Sequence, residues 1–189
     1  TPDILHEYLQ RGGPPAFRAR LLLAATLGAS YGIYSGFEVY ENRPVREGSE
    51  EYLNSEKYEY RHWDWNQRGN LRGLIARVNS IRREHPALQS DWGLRFHQTD
   101  NDQLICYSKQ SPDGTDAVLV VANLDPHFMQ HGWIRVPLAE LGLTADRGYE
   151  AHDLLSGETY HWHGEWNYVR LEPQVQPGHI LRLRNASIA

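Results

Sequence analysis

The spacing of apolar positions changes character along this chain of 189 residues. Residues 16–29 carry apolar side chains at helical spacing through Phe17, Leu21, Ala24, Ala25 and Gly28, with strong helix formers between them. A shorter helix is predicted over 4–10, with Thr1 as its cap and Pro2 and Asp3 in its first turn. The run Arg11-Gly12-Gly13-Pro14-Pro15 breaks it. Residues 30–34 are apolar on both faces, as a parallel strand covered on each side would be. A long polar stretch rich in aromatics follows over 37–69, and its rings argue against disorder. Helical spacing returns over 70–85 through Leu71, Leu74, Ile75, Val78 and Ile81, and Pro86 ends it.

From Trp92 onward the period is two. Strands are predicted over 94–98, 103–109, 117–123, 131–136, 149–153, 159–162, 168–171 and 179–183. Turn signals separate them, among them Ser111-Pro112-Asp113-Gly114 and Gln176-Pro177-Gly178. Short strands at this spacing describe an antiparallel sandwich. The chain divides into residues 1–88, a βα portion, and 89–189, the sandwich. A βα portion this small cannot cover both faces of its strand, so it is expected to be the end of a larger structure.

Composition narrows the field modestly. Apolar residues at 40% and charged residues at 23% are ordinary for a soluble globular protein. The net charge of −5 disfavours nucleic acid or an anionic membrane as partner. The single cysteine, Cys106, excludes an internal disulfide framework and suits a reducing compartment. No basic-then-apolar leader stands at the start, and the longest apolar run, 21–25, is too short to span a bilayer. The expectation is a soluble, cytoplasmic chain. Six tryptophans and eleven tyrosines against four phenylalanines favour rings that carry a polar handle, as sugar-binding clefts and wet β domains both do.

The motif Gly28-Ala29-Ser30-Tyr31-Gly32-Ile33-Tyr34-Ser35-Gly36-Phe37-Glu38 resembles the eighth barrel strand of the α-amylase superfamily. Within it, Thr1-Pro2-Asp3-Ile4-Leu5, Asn54-Ser55-Glu56-Lys57-Tyr58 and Trp63-Asp64-Trp65 resemble the bacterial maltosyltransferases that use maltose 1-phosphate. The resemblance covers essentially the whole chain. It implies the last βα units of a TIM-type (βα)8 barrel followed by an all-β antiparallel sandwich. It also implies a retaining transfer of maltosyl units from maltose 1-phosphate to the non-reducing end of an α-1,4-glucan, without cofactor or metal. The intact enzyme would be a homodimer. Its nucleophile and general acid/base belong to earlier strands, so the chain alone is expected to be inactive.

By the same resemblance Asp3 is the third carboxylate of the superfamily, which holds hydroxyls of the reacting sugar and stabilises the transition state. Most relatives in the superfamily place His-Asp here, whereas this chain has Pro2-Asp3, which suits the maltosyltransferase group. Lys57 and Tyr58 would bind the second glucose of the donor. Read without the resemblance, Asp3 is a helix-terminus residue, Lys57 a solvated charge and Tyr58 a packing residue. Glu38 reads as a structural hydrogen-bonding group, and Trp63 and Trp65 as helix packing rather than a sugar platform. His161 and His163 share one strand face but lack a third metal ligand. Competing readings are another α-amylase-superfamily enzyme, either a hydrolase or a trehalose-forming isomerase, and a non-catalytic carbohydrate-binding sandwich.

Overall fold

A computed structural model describes residues 3–144 and 146–186. Helix α1 runs over Glu7–Leu27 and α2 over Arg72–Glu84; single 3-10 turns lie at Phe37–Val39 and Pro86–Gln89. The strands are β1 Arg95–His97, β2 Leu104–Gln110, β3 Ala117–Asn123, β4 Gln130–Arg135, β5 Tyr149–Asp153, β6 Thr159–Trp162, β7 Trp166–Leu171 and β8 Gly178–Asn185. Each falls close to its predicted span. Six of them form a sheet in the order β1-β2-β3-β8-β5-β6, and β4 pairs with β7 in a second sheet. All named pairs are antiparallel.

β3 shows why its sequence is almost continuously apolar. Leu119 and Val121 point into the core shared with β4 and β7, beside Cys106, Ile134, Val169 and Leu181. Val118, Val120 and Ala122 point the other way, toward Leu22 and Leu23 of α1 and Ile81, Ala87 and Leu88. The six-stranded sheet is thus covered on both faces, by the small sheet and by the helices. A polar contact registers the helix layer: the buried Tyr107 hydroxyl lies 2.6 Å from Thr26 Oγ1, which also donates to the Leu22 carbonyl at 2.7 Å.

Two expectations need correction. The first concerns the parallel strand over 30–34. Residues 31–34 have no regular structure, and no strand pairs with them among the described residues. An apolar segment becomes a strand only when a neighbour accepts its backbone bonds, and the sheet of this chain is antiparallel and elsewhere. The barrel end is therefore not formed here as a sheet. The second concerns the first helix. Asp3 sits in a turn, and α1 begins at Glu7 with His6 Nδ1 accepting from Tyr8 N at 3.1 Å. The predicted cap Thr1 and its neighbour Pro2 lie outside the described residues. The break foreseen at 11–15 is a kink at Gly13, whose φ of 59° and ψ of −159° suit glycine. Pro14 then opens the second segment, where its missing N–H is not needed.

The C-terminal end of α1 is tied to two other elements. Arg82 of α2 donates to the carbonyls of Ala25, Gly28 (3.2 Å), Ala29 (2.6 Å) and Leu88 (3.2 Å). Lys109 of β2, fully buried, donates to the Leu27 carbonyl at 3.1 Å. These side chains satisfy carbonyls that a helix end leaves without intrahelical partners. Far from there, Asp153 closes the β5–β6 turn. It is fully buried, and its carboxylate takes the Ser156 hydroxyl at 2.7 Å, His179 Nδ1 at 3.0 Å and the Gln176 amide.

Two outcomes follow. Arg82→Met leaves carbonyls unsatisfied, and should lower the free energy of denaturant unfolding by on the order of 3 kcal/mol. Burial by itself would raise the pKa of Asp153, but bonds from His179, Ser156 and Gln176 outweigh it and hold the pKa at about 2, below the ordinary 3.8. A depressed carboxylate stabilises the fold above its unfolded pKa and loses that contribution as pH falls through its folded pKa. Roughly 2 kcal/mol should therefore vanish between about pH 4 and pH 2. Urea midpoints measured across that window should fall less steeply in Asp153→Asn, which starts from a lower stability.

Candidate functional site

The polar stretch after α1 is ordered by its own backbone. Residues 43–45 and 51–53 run antiparallel, with Val45 N donating to Glu51 O at 2.8 Å and Leu53 N to Arg43 O at 2.8 Å. The start of the chain lies against this hairpin: Leu5 N donates to Glu50 O at 2.7 Å, and Gln10 Nε2 bridges Leu5 O and Ser49 O. Beyond the hairpin Asn54 takes a left-handed conformation (φ 51°), which asparagine tolerates better than most residues. A tight turn then folds on Ser55, whose carbonyl accepts from Tyr58 N at 2.9 Å and Glu59 N at 3.1 Å.

This arrangement brings Asp3 and Lys57 together as an ion pair. The bond to Asp3 is the main reason the Lys57 ammonium is held above the ordinary lysine range; burial works weakly against it. The Asp3 side chain is 25% exposed and that of Lys57 45%, so a ligand can reach both charges. Tyr58, next to Lys57 in sequence, is 76% exposed. The structure thus unites two of the three predicted residues and leaves the third in solvent at the same turn.

Two supports of this corner, Arg61 and Tyr52, carried no sequence signal of their own. Arg61 donates to Leu53 O (2.8 Å) and Asn54 O (2.9 Å), pairs with Glu41 at 3.0 Å, and lies 4.4 Å over the Trp63 ring. Trp63 Nε1 donates to Ser35 Oγ at 2.9 Å, so this tryptophan packs on the loop rather than on a helix. Tyr34 reaches Ser55 through its hydroxyl at 3.2 Å and lies 5.2 Å from the ring of Tyr52. Tyr52 is buried, and burial first, then Tyr34, Glu41 and Asp3, push its phenol up to about 12. It stays protonated and uncharged. Glu38 accepts from Gly36 N at 3.2 Å while its carbonyl accepts from Leu71 N at 2.8 Å, in the structural role its position suggested.

The space under the turn, between Tyr34, Glu41, Ser55 and Arg61, is about 10 Å³, water-sized and too small for a sugar. A larger open groove of about 620 Å³ runs along Leu23, Leu27, Tyr31, Ile33 and Tyr34, with Ile4 at its end. Chemically the corner offers a carboxylate to accept hydroxyl hydrogens and an ammonium to donate to oxygen, on one face. Among the described residues no group of three or more His, Cys, Asp or Glu side chains could hold a metal ion. No helix among them is long and apolar enough to cross a membrane. Cys106 is buried and its thiol pushed up to about 12, as a small core residue would be.

Arg61→Met should cost about 1–3 kcal/mol of local stability, read as faster proteolytic cleavage within residues 53–61 while the unfolding midpoint of the sheet stays near wild type.

The family described as "GLGE, C-terminal" matches residues 96–183. The chain is 54% identical to α-1,4-glucan:maltose-1-phosphate maltosyltransferase 2 of Streptomyces coelicolor, an alignment covering 100% of the chain and 28% of that protein. It is 47% identical to the maltosyltransferase of the same description from Methylacidiphilum infernorum, covering 97% of the chain and 27% of that protein. The chain therefore spans little more than a quarter of the length of these relatives. Among solved structures, an α-amylase from Geobacillus thermoleovorans complexed with acarbose aligns with a TM-score of 0.60 at 14% identity, over 92% of the chain and 34% of its own. A maltogenic α-amylase from Thermotoga neapolitana gives 0.58 at 9% identity, over 92% and 37%. These two likenesses speak for the fold, that of the β-rich C-terminal domain of α-amylase-like proteins. Over essentially its whole length the chain matches the C-terminal portion of the α-1,4-glucan:maltose-1-phosphate maltosyltransferases.

Proposed function

We propose that the chain acts as the C-terminal part of a retaining maltosyltransferase that moves maltosyl units from maltose 1-phosphate to an α-1,4-glucan. The observation that carries this reading is the Asp3–Lys57 pair, joined in space although the two residues lie far apart in sequence. Matches along this chain to part of the maltosyltransferases support the substrate class.

On this reading residues 1–88 are the closing units of the catalytic barrel and 89–189 the accessory sandwich. The segment over 31–34 supports it. Its backbone N–H groups at 31–33 bond no other described residue, and an apolar groove lies alongside, as at the edge of a sheet. The nucleophile and the general acid/base then come from strands outside these 189 residues. Asp3 accepts hydroxyl hydrogens from the reacting sugar, bonds that strengthen as positive charge develops at the anomeric carbon. Lys57, tied to Asp3, holds that carboxylate in place while its remaining N–H bonds reach the second glucose. Tyr58 adds a ring and a phenol at the same turn. These two contacts select a disaccharide donor without breaking its bond. The mechanism needs no cofactor, and a cytoplasmic homodimer is consistent with it.

The 189-residue chain alone should release no phosphate from maltose 1-phosphate and glycogen; measurable turnover by it would remove the proposed division of labour. In the full-length polypeptide, Asp3→Asn should lower kcat by roughly 10²–10³-fold with the unfolding midpoint preserved. Lys57→Ala should act mainly through KM for maltose 1-phosphate. Retained turnover in Asp3→Asn, or preference for starch hydrolysis over transfer, would overturn the reading.

A further inference from the structure

The outer face of the small sheet carries aromatic side chains that folding does not bury. β4 and β7 turn Ile134, Val169 and Leu171 inward, and present His131 and Trp133 on one strand and Trp166 and Tyr168 on the other. Trp133 stands directly across from Tyr168. Their ring centroids are 5.7 Å apart at 70°, and the His131 ring is 5.7 Å from the same tyrosine. Trp133 remains 48% exposed and Tyr168 49%. Cross-strand aromatic pairs do stabilise a two-stranded ladder. That explains the pairing but not the wall built beside it.

The wall is the turn over 100–102. Asp100 N donates to Trp133 O at 3.1 Å, and Trp133 N donates to Asp100 Oδ1 at 2.7 Å. Asn101 Nδ2 donates to His131 O at 2.9 Å and to Gln130 Oε1 at 3.0 Å. A Cβ at position 132 would run into Asp100 Oδ1 and push that carboxylate off its bond to Trp133 N, so glycine suits the seat of the turn against the strand. Between rings and turn lies an open cleft of about 600 Å³, bounded by Asp100, Asn101, Asp102, His131, Trp133 and Tyr168. Small-ligand sites occupy roughly 300–1,000 Å³.

The lining selects a chemistry. Flat ring faces suit the C–H faces of a pyranose. Two carboxylates accept hydroxyl hydrogens, and Asp102 spends its own on no other described residue. No lysine or arginine lines the cleft, and both carboxylates repel phosphate or a polyanion. The cleft is open to solvent rather than a closed cage, so more than one sugar unit can lie on it. We propose that this cleft is a glucan-holding site that takes a short run of α-1,4-linked glucosyl units. It shares no lining residue with the Asp3–Lys57 corner. Its stacking chemistry stands on the geometry alone; the choice of an α-glucan over another neutral glycan rests on the maltosyltransferase reading.

The test uses the 189-residue chain and maltoheptaose, followed by calorimetry and by tryptophan fluorescence. Saturable binding is expected. Trp133→Ala and Tyr168→Ala should each weaken it by about tenfold or more, worth roughly 1.4 kcal/mol of lost stacking, and Trp133→Phe should restore most of it. Both alanine variants should remain folded, with only the modest fall in unfolding midpoint that loss of one cross-strand ring pair brings, and Trp133→Phe should stay near wild type. Trp65→Ala, at an exposed tryptophan in the loop, should bind as wild type. No binding by the unsubstituted chain, or binding indifferent to both alanine variants, would overturn the proposal. So would Trp133-dependent binding of an arginine-rich peptide or of cellohexaose in place of maltoheptaose. Maltosyl transfer by the full-length polypeptide is scored separately: its absence counts against the function proposed above, whereas the stacking site is decided by the binding curves.

Discussion

A helix end inside a protein must find partners for its last carbonyls, and here that requirement joins three elements into one body. Arg82 from α2 gathers carbonyls of Ala25, Gly28 and Ala29, while Lys109 from β2 takes that of Leu27. Burial lowers the pKa of Lys109 and Asp91 opposes it. Asp91 in turn accepts from Ala29 N at 2.6 Å, so charges of both signs meet at the same helix terminus. Such a cluster is tolerable because each charged group has a backbone hydrogen-bond partner. Remove one, and the orientation of α1 on the sheet loses its polar register, although Leu22 and Leu23 would still be apolar against Val118 and Val120.

That fixed end decides where the chain goes next. From Gly28 it leaves the helix in an extended path along the groove, placing Tyr34 against Ser55 and Tyr52. The hairpin over 43–53 and the turn on Ser55 are held in the same way, by backbone bonds within the loop and by Arg61 across it. Asp3 and Lys57 meet as a consequence. Neither is buried deeply, and the pair itself contributes little to stability; its geometry comes from neutral neighbours and from one arginine. The site is thus rigid at its base and accessible at its charges, which suits binding of hydroxyl groups that must arrive and leave.

The two faces of the molecule also divide their labour by burial. Asp153 works because it is closed off, with its carboxylate fully engaged at the β5–β6 turn. The carboxylates of the β4–β7 cleft sit on open surface beside half-exposed rings. Identical side-chain chemistry therefore serves as a fold-closing cluster in one place and as a ligand surface in the other.

What was legible in the sequence follows from locality. Period-two spacing and turn residues place each strand correctly, because alternation and turn chemistry act over a few residues. The helix break at 11–15 and the end of α2 before Pro86 are legible for the same reason. The motif residues Asp3, Lys57 and Tyr58 could be named in advance, but only as members of a familiar pattern. Tertiary structure alone decided that Asp3 and Lys57 form an ion pair while Tyr58 stays in solvent, that Arg61 braces their turn, and that Arg82 and Lys109 cap one helix. It also decided that residues 31–34 form no strand here, since an apolar segment cannot specify its own hydrogen-bonding neighbour. Trp133 and Tyr168 were simply outward positions on two strands until the β4–β7 register set them opposite each other. Spacing along a chain dictates local conformation; which distant groups meet is set by packing and by the need to satisfy every buried polar group.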